Sequence, residues 1–234
     1  MVQQISPPTI DDELLYPESD GKPLADNTIQ FRLITTIQGG LDSLFQHRND
    51  VFVAADLLWY PVQLSSQQVR EKQKPPQQAP DVMVVLGRPK GDRRSYKQWE
   101  EGNIAPQVVF EILSKSNKKK DMEDEFKFYQ DYGVDEYYLY DPKKNQLQGW
   151  LRQGGKLSAI ASMEGWRSPL LGIRFSSVEG QLALFYPNGE RFASYVEIVE
   201  QRDRERKEKE QIQSELEQLK AKLQKLNIDL DSLS

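Results

Sequence analysis

Apolar residues fall in short blocks along the chain, and their spacing changes from block to block. After Asp26-Asn27-Thr28, which offers helix N-cap chemistry, Ile29, Leu33, Ile37, Leu41 and Leu44 recur every three or four positions with Phe45 beside them. This predicts an amphipathic helix to about Arg48 that covers a core, despite Gly39-Gly40 in its middle. Residues 51–62 (VFVAADLLWYPV) read as a strand bent at Trp59-Tyr60-Pro61, and the polar run 63–79, rich in Gln, Ser, Lys and Pro, reads as a loop. Residues 82–86 (VMVVL) and 108–113 (VVFEIL) are continuous apolar runs, as expected of short strands buried on both faces. Met122, Phe126 and Tyr129 place an apolar stripe on a helix capped by Ser116 or Asn117 and ended by Gly133. A strand over 136–140 follows, stopped by Asp141-Pro142. Strand, helix, strand in this order favours parallel pairing of the two strands. Residues 146–195 read as hairpins, one turning at Gly154-Gly155 and one at Pro187-Asn188-Gly189, with Trp150 and Trp166 in the core.

From about residue 196 the pattern changes again. Residues 201–210 are almost wholly charged. Ile212, Leu216, Leu219, Leu223, Leu226, Leu230 and Leu233 then alternate spacings of four and three. That is the seam of a short coiled coil, which can pair with a second copy or fold back on its own globule. The narrowness of the seam favours the homodimer. The chain therefore divides into an irregular acidic segment over 1–26, a folded domain over 27–195 and a charged helix with a short coiled coil over 196–234.

Composition narrows the chemistry. Cysteine is absent and His47 is the only histidine, so thiolate and multi-histidine metal sites are excluded and any metal must be held by oxygen. The missing cysteines, with no apolar run of transmembrane length and no signal-peptide pattern, fit a cytoplasmic protein without a membrane partner. The net charge of −5 argues weakly against nucleic acid. It resides in the first 26 residues, however, where Asp11, Asp12, Glu13, Glu18, Asp20 and Asp26 face only Lys22; the positive charge elsewhere is clustered.

Two of the buried strands carry an acid: Pro80-Asp81 opens one, and Glu111 sits inside the other. A carboxylate in such a strand is costly unless paired or bound to metal. Side by side, Asp81 and Glu111 would hold one or two hard cations, with the carbonyl of Ile112 as a third ligand. A metal there would activate water and stabilise a leaving oxygen, and a nearby lysine would neutralise developing phosphate charge. The 20-residue connection 87–106 carries Arg88, Lys90, Arg93, Arg94 and Lys97 among Tyr96 and Trp99, and a second cluster includes Lys118, Lys119 and Lys120. Basic residues mixed with aromatics suit a nucleic-acid backbone. A solvated loop pinned by its aromatics accounts for the first cluster equally well. Two carboxylates alone would also serve a glycosidase, but nothing else in the chain points there.

Pro80-Asp81 before its strand, Val109-Phe110-Glu111-Ile112-Leu113-Ser114, and Tyr132-Gly133-Val134-Asp135-Glu136-Tyr137-Tyr138 with Asp141-Pro142 resemble the Uma-two family of predicted endonucleases, over about residues 20–195. The resemblance implies an α/β, restriction-endonuclease-like fold: a mixed central β-sheet flanked by helices, here with extra β-hairpins and a C-terminal coiled-coil helix. It implies that Asp81 and Glu111 are ligands of Mg²⁺ (or Mn²⁺), that DNA is the substrate, and that Glu18 or Asp20 is the N-terminal acid of the site. Two positions depart from the family pattern. The signature lysine falls at Leu113, and the helix position where relatives place a substitute holds Glu125. Lys127 is the nearest replacement, although it lies about 200° round the helix from Glu125, and Lys118, Lys119 or Lys120 could serve instead. Where relatives often carry a histidine in the first long helix, this chain has Gln30. The resemblance thus supports a metal-dependent DNA endonuclease using Asp81, Glu111 and Lys127. The alternative is a weakened or inactive nuclease-like module that binds DNA or a protein partner and assembles through its coiled coil.

Overall fold

The computed structural model describes residues 12–225. It is α/β, and it separates into two units, residues 1–192 and 193–234. In the first, α1 (Asp12–Leu15) is a single helical turn within the segment expected to be irregular. Asn27 caps α2 (Thr28–Leu44), its side chain accepting the N–H groups of Ile29 and Gln30 at 3.0 Å. The buried stripe of α2 is Gln30, Ile34, Ile37 and Leu41. Ile29, expected on that stripe, is 48% exposed. The helix is turned so that a polar residue, Gln30, faces inward. Gly40 has a packing reason, since a Cβ there would stand 2.1 Å from the Phe192 ring, whereas a Cβ at Gly39 would meet nothing.

The central sheet has six strands in the order β1-β3-β5-β6-β7-β8: β1 (Val51–Ala54), β3 (Val82–Leu86), β5 (Val108–Ile112), β6 (Glu136–Asp141), β7 (Gln146–Gln153) and β8 (Lys156–Ala159). All neighbours are antiparallel except β5 and β6, which are parallel with Phe110 opposite Tyr138. Their crossover runs through α4 (Lys119–Asp131), as the strand–helix–strand order requires. The expected strand over 51–62 is broken into β1 and β2 (Trp59–Tyr60), and β2 pairs in parallel with β4 (Tyr96–Lys97) as a separate two-stranded ribbon. The run read as a loop after β2 contains the short helix α3 (Ser66–Arg70), held by a Ser65–Gln68 capping box. The last hairpin also differs from expectation. It joins β9 (Arg174–Val178) to β10 (Gln181–Phe185), while the Pro187-Asn188-Gly189 turn leads into a single bridge between Phe185 and Arg191.

Each face of the sheet has its own core. On one, Val82, Val84, Val108, Phe110, Ile112 and Tyr138 pack with Ile34, Ile37 and Leu41 of α2 and with Phe175 and Leu184 of the second hairpin. Trp166 packs against the same core. On the other, Met83, Val85, Val109, Tyr137 and Leu139 pack with Trp59, Tyr96 and Tyr129, and Trp150 lies against them. Full burial of each large apolar side chain contributes about 1.5–3 kcal/mol. The strands between are apolar on both sides because both sides are covered.

The second unit is built on α5 (Tyr195–Lys225). Of its heptad seam, Ile212, Leu216 and Leu219 are exposed, and Leu226, Leu230 and Leu233 lie outside the described residues. Among the described residues no helix is long and apolar enough to cross a membrane.

Candidate active site

The register Val82↔Phe110, Met83↔Val109 sets Asp81 across from Glu111, just where β3 begins. Both alternate onto the face that carries Met83 and Val109, the side covered by α4. Glu125 and Tyr129 stand one turn apart on α4 and face the same place. Asp81 accepts the Ile112 N–H at 2.6 Å. Glu111, 9% exposed, accepts the Tyr129 hydroxyl. The Ile112 carbonyl accepts Gln30 Nε2 at 3.0 Å, while Gln30 Oε1 accepts the Asp26 N–H at 2.9 Å. That is the reason α2 turns Gln30 inward. A carbonyl has two lone pairs, so Ile112 keeps one for a further partner.

These groups open on a cavity of about 440 Å³ whose wall includes Asp20, Asp56, Asp81, Glu111 and Glu125. Burial, with the charge of Glu125 and Asp56, pushes the Asp81 carboxyl up to about 7. Burial and then the charges of Asp81 and Glu125 hold Glu111 well above the usual carboxylate range, against the lowering effect of the Tyr129 hydrogen bond. Glu125 is raised by burial, and its hydrogen bond from Gln78 at 3.0 Å opposes that. Such a wall holds protons or a cation, and oxygen donors of this kind suit Mg²⁺ or Mn²⁺. Among the described residues no group of three or more His, Cys, Asp or Glu is arranged to hold a metal ion.

The remaining expected site residues are placed differently. Lys127 is exposed and absent from the cavity wall, because two residues along α4 carry it to the far side from Glu125. The basic loop has structural partners. Arg88 and Arg93 each reach Glu101 at 2.7 Å, Arg93 also lies 3.9 Å over the Phe52 ring, and Lys90 donates to the carbonyls of Phe45 and Gln46 at the end of α2. Arg94 pairs with Glu18. Of the two candidate N-terminal acids, Asp20 is therefore the one in the cavity wall. Lys118 and Lys119 remain exposed at the start of α4; Lys119 has only an exposed contact with Glu123 at 3.6 Å. Neither Ser116 nor Asn117 caps α4. Asp121 reaches back to the Lys118 N–H instead, and Asn117 accepts the Ser114 N–H. Asp56, in the turn after β1 with its N–H on the Pro80 carbonyl at 3.0 Å, is a cavity acid that no local pattern marks.

A family model described as "Uma2: Putative restriction endonuclease" matches residues 10–179. No curated protein matches the chain. Among solved structures, the chain is similar to one titled as a putative nuclease belonging to DUF820 from Anabaena variabilis ATCC 29413, at 13% identity over 64% of this chain and 77% of that one, with a TM-score of 0.46. The family match supports a nuclease function in the broad sense.

Proposed function

The chain belongs to the Uma2 family, and we propose that it is a divalent-metal-dependent DNA endonuclease centred on Asp81 and Glu111. One observation carries the reading: two carboxylates lie across adjacent strands, both buried and both held above the usual carboxylate range, where a cavity opens to solvent. A divalent ion bound there supplies an acidified water and charge stabilisation for the leaving oxygen of a phosphodiester. The protein supplies the positioning. The Ile112 N–H orients Asp81, Tyr129 orients Glu111, and Gln30 ties the Ile112 carbonyl to the first turn of α2. Asp20, at the cavity wall, serves as the N-terminal acid.

The DNA footprint assigned here is Lys118 and Lys119 rather than the 88–97 loop. Lysines at a helix N-terminus oppose its macrodipole, a local cost that a polyanion at that end relieves. The exposed seam of α5 pairs with a second copy; in a parallel pairing Glu215 meets Lys220 across it.

The test is Mg²⁺ or Mn²⁺ titration against supercoiled plasmid, beside Glu111→Ala. Metal-dependent nicking that falls by about 10³-fold in the variant is the expected result. Glu125 at the position of a catalytic lysine favours a second reading, a DNA-binding module without cleavage. Wild-type protein that binds DNA and metal but leaves plasmid intact would establish that reading instead.

A further inference from the structure

The proposed chemistry calls for a cation near the scissile phosphate, and α4 does not present one to the cavity: Glu125 is in the wall and Lys127 outside it. The described wall contains a single basic side chain, Lys22. It belongs to the strap 16–26, which precedes α2 and is tied down at both ends.

At one end Tyr16 is buried edge-on to Tyr60 and against Trp99, its hydroxyl accepts the Leu64 N–H at 2.8 Å, and the Pro17 carbonyl accepts the Tyr60 hydroxyl at 2.7 Å. At the other end Leu24 and Ala25 pack against the core, and the Asp26 carboxylate accepts the Ser114 and Ser116 hydroxyls just beyond β5. Between the anchors the chain makes a tight turn. Gly21, at φ +80°, adopts a conformation that other residues rarely take, and Asp20 accepts both the Lys22 N–H at 2.9 Å and the Lys22 ammonium at 3.2 Å.

We infer that Lys22, carried to the cavity mouth by this anchored strap, is the cation that meets the DNA phosphate at the Asp81–Glu111 pair. The inference rests on the nuclease reading. Lys22 is well placed for the role because its side chain is 81% exposed. Its pair with Asp20, whose own side chain is 24% exposed, leaves the ammonium end in solvent, where such a contact is worth about 1 kcal/mol and the ammonium is free to turn to a phosphate. Its charge is also felt inside the site, since it draws the Glu125 and Asp56 carboxyls downward against their burial. The lysine that α4 does not present to the cavity is thus replaced from a different part of the chain.

The experiment compares wild type, Lys22→Met and Lys22→Arg in plasmid cleavage with Mg²⁺, and in binding of a short fluorescent duplex with Ca²⁺ across a salt series. If wild type cleaves, Lys22→Met should lose about 100-fold in rate and Lys22→Arg should recover part of it; a loss under about threefold, or one that Arg does not recover, overturns the inference. If wild type binds without cleaving, the nuclease reading fails by itself. The role of Lys22 is then judged on binding: Lys22→Met should reduce the salt slope by about one, and an unchanged slope overturns it. Wild type that neither cleaves nor binds overturns both.

Discussion

Glu111 and Glu136 stand on neighbouring parallel strands, and both are buried, yet they sit in opposite circumstances. Glu136 points to the α2 side of the sheet and is fully buried. It accepts the Ser168 hydroxyl at 2.5 Å, the Tyr138 hydroxyl at 2.8 Å and the Leu170 N–H at 2.8 Å, so neutral donors solvate its oxygens and fasten residues 168–171 to the sheet. Glu111 points to the α4 side, has its charged form favoured by the Tyr129 hydroxyl and the Asp81 backbone, and faces two further acids, Asp81 and Glu125. Burial of a carboxylate is therefore not the mark of a site. What distinguishes the site is charge left uncompensated by its surroundings, which a cation or a proton must then balance.

The comparison is tested hardest by pH. The folded pKa of Asp81 is raised to about 7 from 3.8, and that of Glu111 is raised as well. Between those limits the folded protein holds more protons than the unfolded chain. Stability of the metal-free protein should therefore be greatest near pH 4 and fall as pH rises through 7, by on the order of 3 kcal/mol. A metal held by the pair would need it deprotonated, so on the proposed reading the rise in thermal midpoint on adding Mg²⁺ should grow over the same window. Asp81→Asn should flatten both trends. A variant with the wild-type pH slope would show that the pair is compensated after all.

Glu136 supplies the opposite expectation. Glu136→Ala leaves two buried hydroxyls and a part-buried N–H without their acceptor and should cost about 3 kcal/mol in urea unfolding. Glu111→Gln removes repulsion and should stabilise the metal-free protein at pH 8 by about 1 kcal/mol while abolishing cleavage. Destabilisation by both changes would erase the distinction.

The difference between these two acids was only half visible in the sequence. The apolar runs that become β3 and β5 are buried on both faces, so their position could be read; that Asp81 and Glu111 lie side by side follows from the sheet order, which the runs do not encode. The stripe Met122, Phe126, Tyr129 set the phase of α4. What periodicity does not encode is contact across the fold. Gln30 interrupts an apolar stripe because its partner is a carbonyl on β5. Lys22, Asp20 and Asp56 reach the cavity from turns that carry no repeat. The basic loop looked suited to phosphate because its counter-charge, Glu101, pairs with Arg88 and Arg93 only through the folded turn that brings them together.

That loop provides the smallest and most specific test. Arg88, Arg93 and Glu101 have side chains only 24%, 11% and 14% exposed, so each charge relies on the others. Arg93 also donates to the carbonyls of Gly91 and Pro89, at 3.1 and 2.9 Å, and so holds the loop's own backbone. Glu101→Ala strands two partly buried guanidinium groups and should cost about 2 kcal/mol in stability. Arg93→Ala should cost a similar amount and leave the affinity for a short DNA duplex, measured at matched salt on folded protein, within about twofold of wild type. Lys118→Ala should do the reverse, lowering the salt slope of DNA binding by about one with almost no change in stability. A compensated charge is thus expected to register in unfolding and an uncompensated one in binding. Arg93→Ala that folds normally and binds DNA tenfold more weakly would show that the loop, too, presents its charge to the backbone.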